Sequence, residues 1–439
     1  MAVKKAMELG ASEAEAYVLR RGSIQVSFSD RIKNLKTTFS TGLGLRVAVG
    51  KRTAMYATSI LAEEEVGEAV ERVMSIVRVA PEDPDWNHAN MVYGETPVKH
   101  CYDEAIPSIE YDDIVAKIGS AVTTVTEHDR KVRPTRGMLQ LGTDGISIAN
   151  SYGDAIEGRG THTGAYMSVK AEDAGLESTG AEFQETRFWE DLDMDGLAGS
   201  AAEKAISFLT AKPTEGGEMP VIIRNKVFAS ILGVMLREPI NADLVQKGGS
   251  PFADKMGDRI AAEGISVVDD GTMDGGVGTA PFDDEGHPTQ KTHVIEDGVL
   301  KSFLYDSYTA LKDSIESTGN ASRIDYSSPP SPAPSNLILE AGGSSVGEMV
   351  EDTVKGLYVE RVIGEWLSNP ISGNMNATVT HGFLIEDGEL GQPVKGVILA
   401  GNFHELLLDG FEVIGSDIDN SGNYYSPTVK LKKLTVAGK

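Results

Sequence analysis

The sequence predicts an α+β protein in two domains, the first built of helices and antiparallel strands and the second dominated by antiparallel β-sheet. Three observations predict this. Segments with helical and strand periodicity follow one another in the first half. A stretch rich in Pro and Gly, residues 211–220, interrupts the pattern. Short strands and turns prevail after it. We therefore expect domains at 1–210 and 221–439, joined by a linker at 211–220.

The first domain is predicted to begin with a helix at 2–9 that ends at Gly10. Apolar and polar residues then alternate at 24–28 and 45–49, which is the period of a strand. Apolar residues on one face predict a helix over 61–80. The prolines that follow, at 81 and 84, are expected to end it. The remaining elements predicted for this domain are helices at 111–126 and 197–209 and strands at 138–140 and 146–149.

The second domain is predicted to open with an apolar strand at 221–223 and a helix at 225–237. Two similar segments, 294–300 and 384–390, each place Asp-Gly between apolar residues. Asp-Gly suits a type I′ turn, which needs positive φ at both central residues, so both segments are predicted hairpins. A further helix is expected at 346–355.

Composition excludes several classes of protein. The 439 residues carry 40 Lys and Arg against 66 Asp and Glu, a net charge of −26, which disfavours a nucleic-acid binder. Cys101 is the only cysteine, so an intrachain disulfide framework and a Cys-rich metal site are excluded. No apolar run reaches the roughly 18 residues of a spanning helix, and no export signal is visible. We expect a soluble, cytoplasmic protein.

Ser345 lies in a G-x-S-x-G segment between a possible strand at 337–339 and a possible helix. That context suits the nucleophile of a hydrolase. Ser345 and Glu348 also fit a capping box, in which the two side chains bond free amides at a helix start. Capping is the favoured interpretation, because serine caps helices far more often than it serves as a nucleophile.

Two other segments contain residue types that bind metals. His404, Glu405 and Asp409 resemble a zinc motif, but an ideal helix separates His404 and Asp409 by about 140°, and three leucines between them indicate burial. The carboxylate-rich segment 283–287, with His293 beyond it, suits either a cation or a turn before a hairpin, and the turn is favoured. No catalytic constellation stands out from the residues alone.

The second half resembles the TldD/PmbA family, also called TldD/TldE and historically named modulators of DNA gyrase. The resemblance rests on an ordered series of segments that covers most of residues 220–420. They are 247–252, 267–272, 282–286, 294–300, 319–320, 332–336, 394–396 and 401–402. The first helix, strands and second helix, followed by 81–84, are similar to the family's N-terminal domain.

The resemblance implies two branches. TldD-like members carry H-E-x-x-x-H on the helix that begins the C-terminal domain, plus a Cys ligand near the C-terminus. TldE/PmbA-like members lack these ligands and act as the non-catalytic partner in a heterodimer. The corresponding helix here, 228–238, has no His and only Glu238 at its end, and residues 415–439 contain no Cys.

The resemblance therefore implies a TldE/PmbA-like subunit with no catalytic, cofactor or metal residues of its own. Its expected partner is a TldD-like subunit that carries the zinc, and the expected substrates are unfolded or extended peptides. Two alternatives stay open: a self-sufficient hydrolase that uses Ser345 or the His404 region, and a non-enzymatic homodimeric binding protein. Binding to a membrane is not expected, and a direct role on DNA is disfavoured by the charge.

Overall fold

Six antiparallel strands form one sheet in the first half of this computed structural model, which describes residues 1–438. The sheet order is β3-β2-β1-β4-β5-β6. The strands are β1 (Glu13–Phe28), β2 (Ile32–Val49), β3 (Arg52–Thr58), β4 (Val132–Asn150), β5 (Gly153–Asp173) and β6 (Leu176–Thr186). The helices of this half are α1 (Ala2–Glu8), α2 (Glu63–Val77), α3 (Tyr111–His128) and α4 (Met194–Ser207).

Both faces of this sheet pack against other parts of the chain. The alternating residues of β1 place Ala14 in a core with α1 and α2, and Val26 in a core with α3 and α4. On the opposite face, Tyr17 and Leu19 pack against Phe282 from the second half. The sheet therefore has helices on one face and the rest of the chain on part of the other.

The second half contains fifteen strands and five helices within the described residues. The strands are β7 (Gly217–Ile223), β8 (Val267–Asp270), β9 (Lys291–Glu296), β10 (Val299–Leu300), β11 (Ala321–Ser322), β12 (Ser331–Pro332), β13 (Leu337–Leu339), β14 (Lys355–Ile363), β15 (Asn374–Glu386), β16 (Glu389–Val394), β17 (Val397–Asn402), β18 (Phe411–Ile414), β19 (Asp419–Ser421), β20 (Tyr424–Ser426) and β21 (Val429–Ala437). The helices are α5 (Asn225–Leu236), α6 (Ala242–Gln246), α7 (Ser307–Asp313), α8 (Val346–Glu351) and α9 (Phe403–Glu405).

Five of these strands close on themselves. β14 pairs with β7, β7 with β21, β21 with β17, β17 with β15, and β15 returns to β14. All of these pairings except β14 with β7 are antiparallel. Helix α5 shares the core of this ring, since Phe228 and Ile231 are buried together with Val359 and Leu399. Closure removes the free strand edges that an open sheet would have.

The α+β class is confirmed, and so are both Asp-Gly hairpins. Asp297 and Gly298 have φ of 47° and 79°, and Asp387 and Gly388 have 50° and 81°. Positive φ at both central residues is what a type I′ turn requires. The predicted helices are all present with shifted ends.

Two local predictions need correction. Strand β7 begins at Gly217, inside the predicted linker, because Gly217 pairs with Val436 of β21. The helix expected at 346–355 ends at Glu351, and Lys355 already belongs to β14. No helix among residues 1–438 is both long and apolar enough to pass through a bilayer.

A buried ionic network joins the two halves. Arg46 of β2 donates to Glu15 at 2.8 Å and to Glu285 at 2.6 Å, and Arg323 donates to Glu15. Glu15, Glu285 and Arg323 are each 1% exposed at their side chains. Two carboxylates and two guanidinium groups thus balance each other where the first sheet meets the second half. Buried charges are tolerated when they are paired in this way.

Candidate functional site

A cavity of about 600 Å³ lies between the two halves of the chain. Strands β5 and β6 and helix α4 of the first half form one wall. Helix α5, strand β14 and the short 3-10 turn Glu365–Leu367 form the other. Such clefts between domains are where binding sites most often occur. We refer to this cavity as the cleft.

Strand β6 is the last strand of its sheet, and its free edge faces the cleft. Side chains of the second half bond that edge. The ring of His381 lies 2.7 Å from the carbonyl oxygen of Thr179, and Lys226 donates to the carbonyl oxygen of Phe183 at 2.7 Å. These bonds cap main-chain acceptors that would otherwise be open to another strand.

Four charged side chains form an ion cluster in the wall of the cleft. Glu182 of β6 accepts from Lys204 of α4 and, at 2.8 Å, from Arg224, which precedes α5. Glu360 of β14 lies 3.3 Å from Lys204. Burial alone would raise the pKa of Glu182, but Arg224 and Lys204 outweigh it and lower that pKa to about 2. Glu182 is therefore ionised at neutral pH, and its bonds to Lys204 and Arg224 fix β6 against the second half.

His381 is buried beside this cluster and is neutral. Burial, together with the positive charges of Arg361, Lys204 and Lys395, outweighs the bond to Thr179 and lowers its pKa to about 4. Because the carbonyl oxygen of Thr179 can only accept, the Nε2 of His381 carries the hydrogen. An uncharged imidazole held in this way positions β6 and does not exchange protons near neutral pH.

Helix α5 presents Val227 and Ser230 to the cleft. The hydroxyl of Ser230 donates to Glu365 at 2.9 Å. Phe228 and Ile231 are buried in the core of the second half. No group of three or more His, Cys, Asp and Glu side chains within residues 1–438 is arranged to hold a metal ion.

Ser345 caps helix α8, as the capping interpretation predicts. Its hydroxyl accepts from the amide of Glu348 at 3.2 Å, and the carboxylate of Glu348 accepts from the amide of Ser345 at 2.8 Å. This reciprocal pair is a complete capping box. Among the described residues, the side chain of Ser345 bonds only to Glu348 and has no histidine partner that could activate it as a nucleophile.

His404 and Asp409 do not converge. The chain forms a π-helical turn at Leu406–Gly410, the kind of local irregularity that could have brought them together. Nevertheless the ring of His404 lies 3.0 Å from the carbonyl oxygen of Pro370, and Asp409 pairs with Lys432 on β21. Leu406 and Leu407 are buried, as the run of leucines predicts.

The carboxylate-rich segment 283–287 is a turn, as predicted, and its oxygens already have donors. Asp283 accepts from the amides of Glu285 and His287 at 2.9 and 3.0 Å. Asp284 accepts from the hydroxyl of Tyr17 at 2.9 Å, and Glu285 pairs with Arg46. His293 is exposed on β9 and does not join them. The segment serves the contact between the halves.

The residues that build the cleft are not visible as a motif. Glu182, Lys204, Arg224 and His381 are spread over some two hundred positions and carry no shared spacing. Only the topology brings them together.

Comparison with known proteins places the whole chain in one family. Three profiles match in order along it: PmbA/TldA metallopeptidase domain 1 at residues 14–77, the central domain at 104–209 and the C-terminal domain at 216–438. A metalloprotease of Methanocaldococcus jannaschii is 27% identical over 441 residues, which cover 96% of this chain and 93% of that protein. A metalloprotease of Methanothermobacter thermautotrophicus is 32% identical over 318 residues, covering 71% and 68%.

Solved structures show the same fold. A Thermotoga maritima protein named as a candidate modulator of a DNA gyrase superposes with a TM-score of 0.89 at 25% identity, covering 99% of this chain and 98% of that one. TldE from Thermococcus kodakarensis also gives a TM-score of 0.89, at 24% identity and 99% coverage of both chains, which shows the same fold. From its three matching domains, this chain belongs to the PmbA/TldD family.

Proposed function

We propose that this chain is a TldE/PmbA-like subunit of a two-subunit metalloprotease, without a zinc site of its own. It would pair with a TldD-like subunit that supplies the zinc ion. Its own contribution would be to complete the chamber in which extended peptides are held.

The observation that supports this proposal is that the residues of helix α5 include none of the expected zinc ligands. By resemblance this is the helix on which TldD-like members carry H-E-x-x-x-H. Here Val227, Ser230 and core residues such as Phe228 and Ile231 occupy it instead. A catalytic zinc site needs about three protein ligands with nitrogen, sulfur or carboxylate donors. The residues of α5 do not fit a zinc ion, and we derive no chemical step through one on this chain.

The ion cluster beside α5 also argues for a supporting role. Glu182 is bonded to Lys204 and Arg224, so its carboxylate is not available as a general base. The ring of His381 is hydrogen-bonded to the carbonyl oxygen of Thr179. The cleft is therefore formed by side chains that hold the two halves together.

Peptides suit a chamber built in this way. An extended peptide can be held through main-chain bonds to strand edges with little dependence on sequence. The closed ring of the second half and the capped edge of β6 leave few open edges, so we expect part of the peptide contacts to come from the partner.

The test combines metal analysis with a peptide assay. The chain is purified alone and together with a TldD-like protein that carries H-E-x-x-x-H, and zinc is measured per subunit by mass spectrometry. We expect negligible zinc and no cleavage of an unstructured fluorogenic peptide by the chain alone. The pair should contain about one zinc per partner subunit and should cleave the peptide.

Two variants sharpen the result. Ser345→Ala and His404→Gln should leave the activity of the pair unchanged, while replacement of the Glu in the partner's motif should abolish it. Stoichiometric zinc on the isolated chain, with cleavage that a chelator stops, would overturn the proposal. So would the failure of the two proteins to associate.

A further inference from the structure

One part of the cleft carries positive charge that no side chain within residues 1–438 pairs with. The cleft is lined by five cationic side chains and three carboxylates, although the whole chain has a net charge of −26. Lys204 and Arg224 are neutralised by Glu182 and Glu360, and Lys226 lies 3.6 Å from Asp419. These three cations are therefore already paired.

Arg361 of β14 and Lys395, between β16 and β17, are the cations that remain. Neither side chain makes an ion pair or a hydrogen bond within residues 1–438. Both are half-buried, and both lie close enough to His381 to disfavour its protonation. A half-buried cation without a partner has lost part of its hydration and gains most from an anionic ligand.

The same cleft contains an acceptor without a donor. The Oε1 atom of Glu365 accepts from Ser230, but its Oε2 atom is buried and has no partner. A ligand that fills this cleft would therefore have to offer both an anionic group and an N–H donor. A peptide with a carboxylate offers both, whereas an inorganic anion offers only the first.

The rim of the cleft is apolar next to these groups. Trp366 is 60% exposed and Ile363 is 49% exposed, and both line the cleft. Exposed apolar side chains beside a few convergent polar groups are typical of a ligand pocket. They would receive an apolar side chain of the same peptide.

We propose that the cleft binds the carboxylate of a peptide between Arg361 and Lys395, with Glu365 accepting a peptide N–H and Trp366 covering an apolar side chain. The carboxylate can be the free C-terminus or the side chain of Asp or Glu, since both present the same anion. This inference deepens the proposed function and rests on it for the choice of a peptide as the occupant.

The test uses the full chain and a six-residue unstructured peptide that ends in leucine. The peptide is made with a free C-terminus, with a C-terminal amide, and as an amide with one internal glutamate. Binding is followed by tryptophan fluorescence, because Trp86 and Trp189 are only 6% and 7% exposed and Trp366 is the accessible reporter. Trp366→Phe should remove the signal.

We expect the free-acid or the glutamate form to bind, and whichever binds identifies the source of the carboxylate. Loss of one charged hydrogen bond is worth about tenfold to hundredfold in Kd, so the plain amide should bind at least about tenfold more weakly. Arg361→Gln and Lys395→Gln should each weaken the binding form by a similar factor. Arg20→Gln, which removes an exposed cation outside the cleft, should change nothing.

Several outcomes would overturn the inference. They are equal binding of all three peptides, no binding of any form at millimolar concentration, inorganic phosphate binding as tightly as the peptide, or unchanged Kd in both cleft variants. Lys395 lies in a connection between strands, so Lys395→Gln provides a folded variant if Arg361→Gln does not fold. A failure here can be told apart from a failure of the proposed function, which is tested by association and zinc content and not by binding to the isolated chain.

Discussion

Replacing Arg323 should leave a buried negative charge unpaired at the contact between the two halves. Arg323 donates to Glu15, to the carbonyl oxygen of Asp284 at 3.2 Å and to that of Ser328 at 3.0 Å, and its side chain is 1% exposed. In Arg323→Met, Glu15 and Glu285 must share Arg46, which leaves one negative charge buried without a partner. Stranding a buried charge costs about 3–5 kcal/mol of unfolding free energy.

The assay is urea unfolding followed by tryptophan fluorescence, since Trp86 lies 5.6 Å from the Arg46 guanidinium and stacks on Tyr308 of the second half. Arg21→Met is the matched control on the same strand as Glu15. Arg21 pairs with Asp144 at the surface, where it is 49% exposed, so its loss should cost less than about 1 kcal/mol.

A second replacement decides whether charge is the cause. Glu15→Gln added to Arg323→Met restores the balance, so the double variant should lose less than the two single variants combined. A loss below about 1 kcal/mol in Arg323→Met would refute this account of the contact. Strictly additive single and double variants would refute it as well.

Three further predictions follow from local geometry. Ser345→Ala should lower stability by about 1 kcal/mol in thermal unfolding through loss of the helix cap, and leave peptide cleavage by the pair intact; lost cleavage would restore the hydrolase interpretation. Gly388→Ala should lower the unfolding free energy by about 1–2 kcal/mol by the same assay, because φ is 81° and a Cβ would lie 2.7 Å from the carbonyl oxygen of Glu351. Gly391→Ala, at a position without a positive φ, is the control and should change the stability little. The pKa of His381 falls from 6.5 to about 4 on folding, so only the unfolded chain takes up a proton between these values. The stability it provides is complete above pH 6.5 and declines as the pH falls to 4, by about 3 kcal/mol in all. The difference in unfolding free energy between the wild type and His381→Gln should decline with this slope between pH 6.5 and 4. Parallel curves of unfolding free energy against pH would contradict the prediction.

The sequence was most informative where a feature depends on a few neighbouring residues. The Asp-Gly hairpins and the cap at Ser345 are fixed by chemistry within four positions, and all three are confirmed. The long strands were harder to predict. Most of the first part of β2 is exposed, so no alternation of burial marks it, and its conformation comes from pairing with β1.

The cleft could not be predicted from local pattern at all. His381 meets Thr179 across 202 positions, and Glu182 meets Arg224 across 42. Neither contact has a spacing that a single sequence reveals, because only the finished topology sets it. The family resemblance supplied what the spacing could not, since it implied that α5 is the helix on which to look for zinc ligands.

The closed ring of strands has a consequence for how the protein is made. Strand β7 ends at Ile223, but its neighbour β21 begins only at Val429, so a ribosome adds about 200 residues between them. At about 5–20 residues per second, the emerging polypeptide waits some 10–40 s with β7 still lacking this neighbour. During that interval the nascent protein is open to wrong pairing with other chains, and a chaperone that shields it would raise the yield.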